Sequence, residues 1–296
     1  MKIPTGIPIL LCGLTCWGQI SETDQKKIAA LTGWSGAYTP AEDTYKVSQP
    51  RTDVKVTVEG RTLHPFLGLT SWAAFTQTPG HGLMVMGDLV LLEDEVNPVL
   101  SAALDNGLEV TALHNHFFYE SPRVMFMHIG GSGSLEKLAG AVRKATDVVH
   151  SIRKANAAMA SRFAGAAAPE ANSITAAVLD GILGVKGQVN SGMYKVSIGR
   201  PAQMHGSKVG NAMGVNTWAA FAGSDEMAQV DGDFAMLRSE MQAVLKALRK
   251  SGIQIVAIHN HMTHEEPSYY FLHYWGKGRA VDLAQGIKSA LDQQKR

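Results

Sequence analysis

One pattern occurs twice in this chain, and that duplication limits the fold more than any other feature. Residues 112–131 and 257–276 both contain His-x-His-x3-Glu-x-Pro-x5-His. His114 and His259, His116 and His261, Glu120 and Glu265, Pro122 and Pro267, and His128 and His273 are all 145 positions apart. Between the second His and the Glu the copies differ throughout, Phe-Phe-Tyr against Met-Thr-His, yet every His and Glu of the pattern is kept. A chain built this way is expected to fold as two lobes of one design, related by an approximate twofold axis.

The repetition extends beyond the histidines. Tyr45-Lys46-Val47-Ser48 returns as Tyr194-Lys195-Val196-Ser197, and Arg51 returns as Arg200. Ser71-Trp72-Ala73-Ala74-Phe75 returns as Thr217-Trp218-Ala219-Ala220-Phe221, Gly87-Asp88 as Gly232-Asp233, and Glu95 as Glu240. The first repeat therefore covers residues 22–148 and the second residues 172–294, with a helix tail and Ala-rich linker at 149–171. Within one repeat, periodicity predicts a helix at 22–32 and strands at 54–58, 68–75 and 83–92. A helix at 94–104 is stopped by Asn106-Gly107. Strands follow at 109–117 and 124–129, then a helix at 134–150. This order predicts an α+β fold, a mainly antiparallel sheet with helices packed on one face.

Composition narrows the class. An apolar fraction of 45% with 18% charged residues supports packed cores rather than disorder. A net charge of +1 gives no field to attract nucleic acid. Both cysteines, Cys12 and Cys16, lie in an apolar stretch that follows Lys2. The stretch is too short to span a bilayer and ends in small residues, so residues 1–18 are predicted to be a signal peptide. The protein is then exported, periplasmic or extracellular, with no transmembrane segment and no cysteine in the mature chain. Oligomeric state is not legible.

The histidines carry the chemistry. Alternation along a strand points His114 and His116 the same way, and an antiparallel return brings His128 to the same surface. The turn between them carries Glu120 and Pro122. Three imidazoles and a carboxylate suit a divalent transition metal, zinc by default, with iron, manganese or copper as alternatives. The predicted metal ligands are His114, His116 and His128 in one repeat and His259, His261 and His273 in the other. Glu120 and Glu265, with Asp88 and Asp233, are the predicted catalytic carboxylates, since a carboxylate off the metal moves the proton in such sites. The expected partner is a small-molecule substrate or ligand. Three readings stay open: a metal-dependent hydrolase or lyase, a binding protein without turnover, and a structural protein whose histidines brace the turns.

The stretches around Trp72, Gly87-Asp88, His114-Asn115-His116, Glu120-Ser121-Pro122-Arg123 and His128, and their counterparts in the second repeat, resemble the LppY/LpqO family (DUF1259). The resemblance spans nearly all of the chain after residue 18. It implies exported bacterial proteins of about this length, some of them lipoproteins, and carries no established activity.

Overall fold

The computed structural model of the protein describes residues 19–80 and 82–294, so the expected signal peptide lies outside the described residues. The first repeat runs α1 (Glu22–Thr32), β1 (Ser35–Thr39), β2 (Thr44–Pro50), β3 (Thr57–Val58), β4 (Arg61–Thr62), β5 (Thr70–Thr78), β6 (Gly82–Leu92), α2 (Glu93–Asp105), β7 (Glu109–His114), β8 (Glu120–Ser121), β9 (Val124–Gly133) and α3 (Leu135–Ala155). The second runs α4 (Ala176–Leu183), β10 (Gln188–Asn190), β11 (Met193–Gly199), β12 (Ala202–Met204), β13 (Ser207–Val209), β14 (Asn216–Gly223), β15 (Ala228–Leu237), α5 (Arg238–Lys250), β16 (Gln254–His259), β17 (Glu265–Glu266), β18 (Tyr269–Gly278) and α6 (Ala280–Leu291).

The two repeats do not fold as separate lobes with separate sheets. Twelve strands form one antiparallel sheet in the order β1-β2-β5-β6-β9-β7-β16-β18-β15-β14-β11-β10. The order is a palindrome of equivalent strands, and its centre is the pair Leu113 and Ile258, opposed across β7 and β16. The helices pack on one face over the main core, which includes Phe75, Val85, Leu113, Phe221 and Ile258. Asn97 and Gln242, which are equivalent, fasten the junction. Asn97 bonds the backbone N–H and C=O of Ile255 at 2.7 and 3.0 Å, and Gln242 bonds those of Val110 at 3.0 and 2.9 Å. Both target strands shift register beside these residues, and the amide side chains satisfy backbone groups at the β7–β16 junction, where the strands share only the Leu113–Ile258 bridge.

Among the described residues the opposite face carries no α-helix, only short 3-10 turns at Pro65–Leu67 and Asn211–Met213. Two three-stranded sheets, β4-β3-β8 and β13-β12-β17, stand on it. Each covers a small core of its own, Val56, Val90, Val124 and Phe126 with their neighbours in the first repeat and Val209, Ala235, Tyr269 and Phe271 with theirs in the second. This explains the apolar run in β6. Its first half alternates between buried and exposed residues, whereas residues 87–92 are buried throughout because both faces are covered there.

Several expected elements shift. The expected strand at 54–58 is a strand only at Thr57–Val58, although Val56 is buried beside Val54 as its alternation implied. The expected strand at 109–117 ends at His114. The β1–β2 hairpin was not foreseen, since Ser-Gly-Ala-Tyr-Thr is an exposed edge strand with no apolar alternation.

Candidate functional site

The predicted histidines gather on the helix-free face, flanking the central junction. Asp88 pairs with His128 across β6 and β9, and Asp233 with His273 across β15 and β18. His114 and His259 end their strands opposite Phe126 and Phe271. His116 and His261 lie just past those strand ends, and each ring lies flat on the same phenylalanine, with centroids 3.3 and 3.6 Å apart. A buried aromatic platform thus turns the loop histidine back toward the strand histidines.

In the second repeat the polar atoms converge closely. His261 Nε2 lies 3.0 Å from Asp233 Oδ2 and 3.1 Å from His259 Nε2, and His259 Nε2 lies 4.0 Å from the same carboxylate oxygen. Ligand atoms of Asp233, His259 and His261 all fall within 4.8 Å of one another, so this group, with Asp233 buried, His259 half-buried and His261 exposed, could hold a metal ion. Donors on a tetrahedral zinc, at bonds of about 2.0–2.1 Å, sit about 3.3 Å apart. His261 Nδ1 contacts the carbonyl of Gly214 at 3.2 Å and His273 Nδ1 that of Gly232 at 3.3 Å. A carbonyl only accepts, so both rings carry their proton on Nδ1 and leave the Nε2 lone pair free.

The first repeat carries the equivalent residues, but among the described residues only the Asp233 group converges this closely. His114 and His128 approach to 3.1 Å through their Nε2 atoms, and the His114 and His116 rings stack with centroids 5.2 Å apart. Asp88 is close enough to pull the His116 pKa upward. One carboxylate oxygen of Asp88 and one of Asp233 are buried without a hydrogen-bond partner, as is His259 Nδ1. Buried polar atoms are almost always satisfied, so an unmatched oxygen at the same place in both repeats fits a cation better than an empty pocket.

Electrostatics follow from burial. The Asp233 carboxyl is held above its ordinary value by burial, against the pull of three imidazoles. The His259 and His116 imidazoles are held below theirs, chiefly by burial and also by neighbouring imidazoles, with the nearby aspartate pulling the other way.

Glu120 and Glu265 occupy different surroundings. They belong to the small sheets, opposite Val58 and Met204. Glu265 accepts from the Tyr269 N–H at 3.0 Å and the Ser268 hydroxyl at 3.1 Å, and Glu120 lies 3.8 Å from Arg123. The carboxylate in the ligand group of the second repeat is Asp233. Each glutamate is buried, with one oxygen that accepts no hydrogen bond. His264, the extra histidine of the second repeat, faces His205 with centroids 5.4 Å apart, outside the Asp233 group.

Two further kinds of pair are duplicated. Arg51 grips Glu95 through both terminal nitrogens at 2.8 and 3.0 Å, and Arg200 grips Glu240 at 2.7 and 3.1 Å. Lys46 sits over the Trp72 ring and Lys195 over the Trp218 ring, at 4.0 and 4.3 Å. The recurrence of all eight residues was visible in sequence, and that shared recurrence was the available signal. Their pairing across strands was not visible.

The chain matches the family described as Domain of Unknown Function (DUF1259) over residues 26–148 and again over residues 177–293. It belongs to that family. The two DUF1259 matches coincide with the two halves of the palindromic sheet. No curated protein matches the chain. Among solved structures it is similar to a trimeric bacterial microcompartment shell protein, PduB, at 11% identity over 87% of this chain and 89% of that one, with a TM-score of 0.20. A likeness of that size carries no argument. Among the described residues no helix is long and apolar enough to cross a membrane.

Proposed function

We propose that this DUF1259 protein is an exported metal-dependent enzyme, a hydrolase or lyase acting on a small molecule. Each repeat would hold one divalent transition metal, with zinc the first choice. In the second repeat Asp233, His259 and His261 hold the ion. In the first, the equivalent residues Asp88, His114 and His116 would do so, with His128 in the place of His273. When bound, the ion supplies Lewis acidity toward a carbonyl or a water. Export and LppY/LpqO kinship rest on the apolar segment before residue 18 and on the motifs quoted above.

One observation carries the catalytic reading over plain metal storage. The compact ligand group has three members, Asp233, His259 and His261, and His273 lies outside it. Three protein ligands leave a coordination position for substrate, whereas a closed set of four marks a structural site. His273 stacks beside His259 with centroids 4.7 Å apart, and its Nδ1 is committed to the Gly232 carbonyl. Its Nε2 would therefore be the nitrogen available to take up or return a proton beside this group.

Cobalt(II) substitution tests this reading. Elemental analysis should find two ions per chain, falling to one in His116→Ala and one in His261→Ala. The visible spectrum of the cobalt protein should shift when azide is added. Metal-free protein would overturn the metal reading. Bound cobalt indifferent to azide would overturn the catalytic one and leave a binding protein.

A further inference from the structure

The two clusters lie on one surface at one height. Leu113 opposes Ile258, so Ala112 faces His259 and Ala257 faces His114 across the same junction. His128 is level with Ala112, and His273 with Ala257. Each cluster thus spans the same two rungs of the sheet, and the clusters are displaced from each other only across the strands. Their centres lie over β9 and β18, with β7 and β16 between. Three strand spacings of about 4.7–4.9 Å separate them by roughly 14 Å.

The ground between them is low. On the helix-free face the side chains there are Ala112 and Ala257, both half-buried. Each small sheet is built on the loop that follows a central strand, β8 after β7 and β17 after β16. Because β7 and β16 run in opposite directions, the small sheets stand at opposite ends and leave a trough across the middle. The linker walls one side of it, where Phe163 stacks on Trp275, two residues past His273 on the same face of β18, with centroids 4.3 Å apart.

We propose that the two clusters form one groove for an elongated ligand bearing an acidic group at each end, which crosses Ala112 and Ala257 and meets both ions. This inference rests on the metal reading above. A divalent ion among neutral imidazoles and one aspartate leaves each cluster with one excess positive charge, so the group that completes it is anionic. Lys46 and Lys195, over Trp72 and Trp218, add a cation beyond each aspartate. Two such acceptors at a fixed separation favour one two-ended anion over two separate ones, because the second end binds as an intramolecular event.

Linear α,ω-dicarboxylates of graded length, titrated calorimetrically into zinc-loaded full-length protein, provide the test. One dicarboxylate should bind per chain, with affinity peaking at the length that spans the clusters. At that peak it should exceed the matching monocarboxylate by about 10²-fold or more. His116→Ala and His261→Ala should each keep one zinc and bind the best dicarboxylate no more tightly than the monocarboxylate. Ala257→Phe should keep both zincs and weaken only the spanning ligand. Two dicarboxylates per chain with no length dependence, or none on two-zinc protein, would overturn the groove and leave the metal reading intact. Protein that takes up no zinc would overturn both.

Discussion

The two histidine clusters share a backbone plan and differ in how they close. In the first repeat the shortest imidazole contact spans two strands, His114 to His128. In the second it runs along one strand end, His259 to His261, with Asp233 drawn in at 3.0 Å. The second is also braced from behind, because His261 and His273 both donate to backbone carbonyls. In the first, His114 Nδ1 meets only the carbonyl of its neighbour Asn115. Asp233 is the more deeply buried aspartate, 2% exposed against 8% for Asp88. Sheet register thus places equivalent residues side by side in each repeat, and only in the second do their ligand atoms converge within 4.8 Å. The second site is the better organised for a metal and the first the looser.

The largest effect expected from separating the halves concerns their buried ion pairs. Arg51, with 6% of its side chain exposed, holds Glu95 and Asp53 together and also donates to the Val90 carbonyl. Arg200 is 13% exposed. Removing one partner of a buried pair costs about 3–5 kcal/mol, so Arg51→Met should reach that range in urea denaturation and Arg200→Met should fall below it. Equal losses would mean that the halves are equally dependent on their pairs. Next comes metal affinity. Asp233→Asn should weaken the tighter of two zinc-binding steps by more than about 100-fold, beyond the loss that outer ligands cause, and Asp88→Asn should affect the weaker step. The reverse assignment, read by competition with a chelator, would invert the comparison. The smallest effect is the pH response of metal-free protein. Burial holds His116 and His259 below the ordinary imidazole value of about 6.5. The unfolded chain then binds more protons as pH falls through that value, and stability declines. Asp233, raised by burial, acts in the opposite sense nearer pH 4. The urea midpoint should therefore be lower at pH 5.5 than at pH 7.5. A midpoint that does not fall would show that burial of these rings has no net cost.

Local signals were legible and distant registers were not. The helices Glu93–Asp105 and Leu135–Ala155 announce themselves by periodicity and stop residues, and the spacing of His114, His116 and His128 marks a hairpin that gathers them. The partner carboxylate was harder to identify. Glu120 and Glu265 lie within the histidine pattern, yet their strands pair into the small sheets, whereas Asp88 and Asp233 arrive from the neighbouring strand of the main sheet. Sequence spacing cannot reveal that β6 lies beside β9 across the intervening helix. For the same reason Arg51 and Glu95, and Asn97 and the backbone of Ile255, were visible as single residues and invisible as pairs.

Cut at the linker, a single repeat would end in a bare run of backbone donors and acceptors along β7, the kind of edge that recruits another chain. Antiparallel pairing about Leu113 is self-complementary, so a second copy turned through half a revolution would fit that edge as β16 does. The molecule has the architecture of a homodimer whose subunits have been joined end to end. The joining segment meets Asp94 in the first half and Trp275 in the second, contacts that no twofold axis repeats, which gives evolution a way to make two ancestrally identical ends unlike.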